Sequence, residues 1–290
     1  MKSTKTIKSW SFYLLLTVIL SATSCGKGET EDITPSNPDS SNTRKNPNVS
    51  LSKEAAPSSF STKILLEDYT ATWCGYCPRV GHAIEEAMKK NNNIIGIGIH
   101  NDKEMGFSKV ESLMKKFNIG GFPTAMLNRS TIWSESYTPL QEKLSQTSST
   151  GIAIQSSLTG DQVKGKLKIG FNSNLSKSIN YAILLVEDKV VAAQKNYYNE
   201  DKDSPFYQKG EVIENFQHVN VLRKSATDIF GDIVPEEYTK KGKVCQADFE
   251  FKLDGYKSEN CYIIAFVVEK DGNNVLNVQM AKVGSNKDFD

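Results

Sequence analysis

The feature that most narrows what this chain can become is the run Trp73-Cys74-Gly75-Tyr76-Cys77-Pro78. Two cysteines separated by two residues are either half of a zinc site or a dithiol that opens and closes. A structural zinc needs two further thiolate or imidazole ligands, and the remaining candidates are His82, His100 and cysteines more than 160 residues away. The spacing therefore favours the dithiol, with no metal and no other cofactor expected. After the motif, Gly81, Ala83, Ile84, Ala87 and Met88 recur at helical spacing, which sets Cys74 at a helix N-terminus where partial positive charge favours the thiolate. Cys74 is then the nucleophile, and Cys77, one turn further in, is the resolving thiol.

Hydrophobic patterning around the motif gives a strand over 63–71, a helix over 75–90, a strand over 94–100 and a helix over 107–117. Strands over 124–128 and 131–133 and a helix over 138–147 follow. This βαβ-ββα order contains Trp73 before the first cysteine, Asp68 six residues ahead of it, and Gly121-Phe122-Pro123-Thr124 downstream; together they resemble a thioredoxin fold. The resemblance implies that Asp68 is a buried acid near the dithiol and that a cis bond before Pro123 lies beside the active disulfide. Such a bond exposes main-chain groups that can pair with an extended substrate. A desolvated Asp68 would exchange a proton with Cys77 near neutral pH. Tyr76 and Phe122 are expected to shape the contact with substrate. The competing reading has Asp68 at a strand end facing water, with Glu67 as the buried acid. His100, Asn101 and Asp102 should reach the same sheet edge as the cysteines in a loop without chemistry, and His82 reads as helix surface.

The N-terminus is an address. Lys2, Lys5 and Lys8 precede an apolar run from Trp10 to Leu20, and Ser21, Ala22, Thr23 and Ser24 stand before Cys25. That is the layout of a secretory signal over residues 1–24, too short to span a bilayer. Small residues before a cysteine resemble a bacterial lipobox, which makes Cys25 a lipid attachment point and the membrane a partner through that anchor only. An ordinary signal-peptidase site at Ala22-Thr23-Ser24 is the alternative. Residues 26–60 hold seven Ser, four Pro, four Asn and three Thr with almost no apolar residues, so 25–60 is expected to be a disordered tether. The net charge of +1 leaves no bulk field for a polyphosphate, so nucleic acid is not an expected partner.

Beyond a thioredoxin-like domain at 61–149, the pattern in residues 150–290 turns to alternation. Val163, Leu167, Ile169 and Phe171 share one parity, and apolar runs follow at 179–186, 244–251, 261–268 and 275–282. These predict an all-β, immunoglobulin-like sandwich of about seven strands, with turns at Asp254-Gly255 and Asp271-Gly272. A polar loop from Asn196 to Gly210 carries Tyr197, Tyr198, Phe206 and Tyr207, a composition suited to contact with a partner. If 244–253 and 261–269 formed a hairpin, Cys245 and Cys261 would lie over 20 Å apart along the ladder by the rise of about 3.3 Å per residue, leaving two buried thiols; strands in different sheets would leave a bridge open.

The lipobox-like leader, the tether, Trp73-Cys74-Gly75-Tyr76-Cys77-Pro78, Gly121-Phe122-Pro123 and the segment Phe216-Gln217-His218-Val219-Asn220-Val221-Leu222-Arg223 together resemble the 28-kilodalton outer-membrane protein family of Gram-negative bacteria. The resemblance covers most of residues 60–285. It implies an outer-membrane lipoprotein of the cell envelope with a thioredoxin-like and a β-rich domain, and it supplies no substrate. Two functions follow. One is a thiol-disulfide oxidoreductase acting on protein thiols and disulfides; the other is a surface binding or adhesion lipoprotein whose β-domain holds an envelope partner while the CxxC is vestigial.

Overall fold

The computed structural model describes residues 49–290. The leader, Cys25 and most of the expected tether lie outside that range. The first described residues shorten the tether: Val49–Leu51 (β1) pairs antiparallel with a strand near the far end of the chain, Val49 opposite Ala247 and Leu51 opposite Cys245. Phe60 is buried, its ring lying where a side chain on Gly151 would otherwise sit. Composition misses this because a three-residue edge strand borrows its ladder from its partner and needs little apolar content of its own.

Two strands form the centre of the first half, Ile64–Thr70 (β2) and Ile94–His100 (β3). They run parallel, in register from Ile64 opposite Ile94 to Thr70 opposite His100. Every residue of both is buried. The crossover between them is Cys77–Lys90 (α1), with Pro78 in its first turn and Lys89 and Lys90 in its last, each suited to its end of the helix. Val110–Lys116 (α2), Thr124–Leu127 (β4), Thr131–Ile132 (β5) and Thr138–Leu144 (α3) complete a thioredoxin-like unit in the expected order. One face of the sheet packs Ile64, Leu66 and Ile94 against Val80, Ile84 and Ala87 of α1 and Leu140 of α3. The Cβ that Gly96 lacks would overlap Ile84, so glycine there lets α1 sit close.

The second half supplies Thr150–Thr159 (β6), Gln162–Phe171 (β7), Ile179–Glu187 (β8), Val190–Lys195 (β9), Val212–His218 (β10) and Val221–Ser225 (β11). Asp232–Ile233 (β12), Val244–Lys252 (β13), Cys261–Glu269 (β14), Val275–Lys282 (β15) and Asn286–Lys287 (β16) follow. One sheet has the order β1-β13-β7-β6-β16. A second runs β15-β14-β8-β11-β3-β2-β4-β5, with β12 beside β8, and so crosses from the β-rich half straight into the thioredoxin-like half, while β9 and β10 pair with each other as a separate antiparallel hairpin. The seam is the Phe216–Arg223 segment. Val221 pairs parallel with Gly98 of β3, Gly98 N–H donates to the Asn220 carbonyl at 3.0 Å, and Asn220 Nδ2 donates to the Gly96 carbonyl at 2.9 Å.

The two sheets pack face to face as a sandwich. Ile152, Leu167, Ile169 and Phe171 meet Ile183, Leu185, Ile263 and Val267. The opposite side of β8 and β14 carries Ala182, Leu184, Val186, Ile264 and Phe266, which share a core with Leu65, Tyr69, Ile95, Ile97 and Ile99 of the thioredoxin-like sheet. Strands buried on both faces read as continuous apolar runs, which is what 179–186 and 261–268 are. Arg129 closes this joint from within: fully buried, it pairs with Glu67, donates to the Ile229 carbonyl at 2.8 Å and lies over the Phe266 ring. The expected hairpin of β13 with β14 is not formed. β13 pairs with β7 and β14 with β8, in different sheets, and Cys245 and Cys261 are nonetheless free and buried in the sandwich core. Among the described residues no helix is long and apolar enough to cross a membrane.

Candidate active site

The CxxC turn sits between the end of β2 and the start of α1, where the sheet and helix both present main-chain groups. Cys74 and Cys77 form a disulfide, with Cα atoms 5.4 Å apart. The Cys77 N–H donates to the Cys74 carbonyl at 3.2 Å, closing the turn as the helix begins. Cys74 is the more accessible of the pair, at 6% exposed against 2% for Cys77. Phe122 packs on the disulfide, and the Phe122–Pro123 peptide is cis. Trp73 stacks obliquely on Phe122 with ring centroids 5.7 Å apart, and its Nε1 donates to the Asn101 carbonyl. Trp73 and Tyr76 are each more than half exposed and form an apolar rim beside the sulfur. The structure therefore brings together Trp73, Cys74, Tyr76, Cys77, Phe122 and Pro123.

Asp68 and Glu67 are both buried, on opposite faces of β2, so the choice between them resolves by function. Glu67 is neutralised by Arg129, whereas Asp68 shares the α1 face with Cys77 and forms no salt bridge among the described residues. Burial, with the Glu135 charge adding to it, pushes the Asp68 carboxyl up to about 8. Among the described residues its Oδ1 has no hydrogen-bond partner. Asp68 and Cys77 line a cavity of about 40 Å³, walled also by Gly81, Glu85, Gly98, His100, Gln194, Phe216 and His218. His100 is not in an idle loop: its Nδ1 is 2.8 Å from Asp102 Oδ2, and its ring meets that of His218 edge to face at 5.0 Å. Burial, then the neighbouring His100, hold the His218 imidazole down to about 4.

The aromatic loop expected to meet a partner meets the CxxC turn of its own chain. Lys195 N–H donates to the Thr72 carbonyl at 2.8 Å, Tyr197 N–H to the Gly75 carbonyl at 3.0 Å, and Gln194 Nε2 to the Cys74 carbonyl at 2.9 Å. Tyr76 lies edge-on to Tyr197 and Tyr198, at 5.0 and 5.8 Å, and Tyr198 Oη accepts from Arg79. A Cβ on Gly75 would collide with the Tyr197 ring, so glycine between the cysteines is needed for this close approach. His82 is covered by Phe206. Gln194, Tyr197 and His218 were not legible as site residues, because nothing local ties positions separated by more than 100 residues; the sole signal was the aromatic content of the loop. Burial pushes the thiols of Cys245 and Cys261 up to about 12, which keeps them protonated and out of this chemistry.

The family model for the outer membrane protein Omp28 matches residues 110–287, and that for thioredoxin matches residues 48–148. The chain belongs to the Omp28 family. The Omp28 match begins inside the thioredoxin-like half, at α2, in keeping with a sheet that crosses the boundary between the halves. Among solved structures the chain is similar to HBP35 of Porphyromonas gingivalis, at 18% identity and a TM-score of 0.62, over 78% of this chain and 76% of that one. A domain of the outer membrane lipoprotein Omp28 from Porphyromonas gingivalis aligns over 48% of this chain and 90% of that one, at 18% identity and a TM-score of 0.31. No curated protein matches the sequence. Omp28 membership assigns the chain to the cell envelope, and the thioredoxin-like domain carries the CxxC disulfide.

Proposed function

We propose that this Omp28-family chain is an envelope lipoprotein, anchored through Cys25, whose thioredoxin-like site exchanges thiols and disulfides with protein substrates. One observation carries the reading: a CxxC disulfide lies between an exposed aromatic rim at Cys74 and the buried Asp68 carboxyl, which lines one cavity with Cys77 and whose Oδ1 has no hydrogen-bond partner among the described residues. In the reductive direction the Cys74 thiolate attacks one sulfur of a substrate disulfide, and the other leaves as a thiolate that takes a proton from water. Asp68 removes the Cys77 proton, and the Cys77 thiolate attacks Cys74 Sγ. The Cys74–Cys77 disulfide forms, the second substrate thiolate leaves, and two electrons have passed to the substrate. Each step is reversible, so an oxidising partner drives the opposite flow. Trp73, Tyr76 and Phe122 offer apolar contact to the substrate, and, with Phe122 packed on the disulfide, the main chain at Phe122-Pro123 is the edge offered for main-chain pairing.

A binding lipoprotein with a vestigial CxxC has no need for a buried acid behind the second cysteine, nor for a β-hairpin clasped on the turn. The test is a Cys77→Ser variant, which should trap mixed disulfides with envelope proteins, visible on non-reducing gels and abolished by Cys74→Ser. The reduced wild type should also reduce insulin. Absence of both trapping and insulin reduction would overturn the reading.

A further inference from the structure

The cavity behind Cys77 exists because side chains are missing from two of its walls. On α1, Cys77, Gly81 and Glu85 fall four residues apart on one stripe, and a Cβ on Gly81 would stand 3.8 Å from Asp68 Oδ2 with open space around it. On β3, Gly98 lies opposite Asp68 in parallel register. The third wall is the β10 strand with its His218 ring. Burial holds the His218 imidazole neutral, and a neutral ring carries one donor and one acceptor nitrogen, so Nε2 can serve as the acceptor. Among the described residues that Nε2 and Asp68 Oδ1 are both buried, both without a hydrogen-bond partner, and both on residues lining this one cavity. Its volume of about 40 Å³ exceeds the roughly 10–15 Å³ that a single water requires, and a water held between residues that line the same hollow would give each of the two unpaired atoms a partner.

We propose that His218, from the β-rich half, holds a water against Asp68 and so positions the proton acceptor of the resolving cysteine. Resting on the oxidoreductase reading, the proposal adds a residue to it. A water has two protons to give, one to the Asp68 carboxylate and one to His218 Nε2, and this arrangement stabilises the ionised acid that must deprotonate Cys77. When the Cys77 proton moves to Asp68, the carboxylic acid becomes donor to the same water, which still donates to His218. The proton then leaves past Gly81 toward the half-buried Glu85 at the cavity's outer end. No electrons move in this transfer; it readies the thiolate whose attack forms the disulfide. The other charged or titratable groups acting on this pair are Glu135 on Asp68, and His100, Asp102 and Arg223 on His218.

The experiment is a pH titration of Asp68 in the oxidised protein, read by carboxyl-carbon NMR, beside the pH profile of the resolving rate in the reduced protein. His218→Phe removes the acceptor, so the Asp68 midpoint should rise by roughly half to one pH unit and resolution at pH 7 should slow by about threefold to tenfold. His218→Gln restores an acceptor and should recover most of the rate. Gly81→Ala keeps His218, improves helix propensity and adds a methyl that meets Asp68 Oδ2 at ordinary van der Waals distance, so it should move the midpoint the same way. An unmoved Asp68 midpoint in both His218→Phe and Gly81→Ala would overturn the proposal. If the wild type exchanged no disulfides yet its Asp68 midpoint depended on His218, the oxidoreductase reading alone would fall.

Discussion

Asp68 is the residue where the site's chemistry and the fold's stability pull apart. Its carboxyl, raised by burial to about 8, holds a proton in the folded chain that the unfolded chain releases near pH 4. Between those values the native state binds one more proton than the unfolded state, so stability falls as pH rises, by about 1.4 kcal/mol per pH unit from this group. Below about pH 4 the contribution is complete, and above about pH 8 it is gone. Asp68→Asn cannot titrate. Denaturant unfolding of the two oxidised proteins should therefore show the variant gaining on the wild type steadily from pH 4 to pH 8, with its gain flat beyond; a constant difference across that range would refute the buried-acid assignment. The sequence made Asp68 a candidate by its distance from Cys74. It could not decide between Asp68 and Glu67, because the deciding partner, Arg129, lies 62 residues from Glu67 and enters its surroundings only through the fold.

At the scale of elements, the β9–β10 hairpin is the part of the site that no local pattern announces. Continuous apolar runs located β2 and β3, and a period-3.6 signal located α1, almost residue for residue, since the strands are buried on both faces and the helix along one. The hairpin buries little; it earns its position by main-chain hydrogen bonds to the CxxC turn, which leave no trace in hydrophobic periodicity. Gln194 is its anchor, 2% exposed, with Nε2 within reach of the Ala71, Cys74 and Lys195 carbonyls. Gln194→Leu, similar in volume, removes the side-chain donor to the Cys74 carbonyl while the Cys77 N–H still donates to it, a net loss of about 0.5–1.5 kcal/mol. Chemical unfolding should register that loss. Limited proteolysis should at the same time cut within 196–211 faster than in the wild type, as the loop lifts from Gly75. Unchanged stability and unchanged cleavage would mean the hairpin is held elsewhere.

At the scale of the whole molecule, the two halves that composition separates at residue 150 share one sheet and one core. The face of β2 and β3 turned from α1 and α3 bears Leu65, Tyr69, Ile95, Ile97 and Ile99, and the second half supplies much of its cover through Leu184, Val186, Ile264 and Phe266. Burying five such side chains is worth roughly 1.5–3 kcal/mol each, on the order of 10 kcal/mol together, which matches the entire stability of an ordinary domain at about 5–15 kcal/mol. A fragment ending at residue 149 keeps the CxxC, Asp68 and the cis peptide but loses that cover, the Ile229 carbonyl that Arg129 binds, and the hairpin over Gly75. Such a fragment should bind hydrophobic dyes and unfold without a cooperative transition, while the chain from residue 44 to 290 unfolds in one. A fragment that melts cooperatively with dispersed amide resonances would show that the thioredoxin-like half stands alone. The shared core also explains why a β-rich segment can contribute to a redox site at all: with the sheet continuous through Val221 and Gly98, the hairpin and His218 are set against the CxxC turn by the same register that folds the chain.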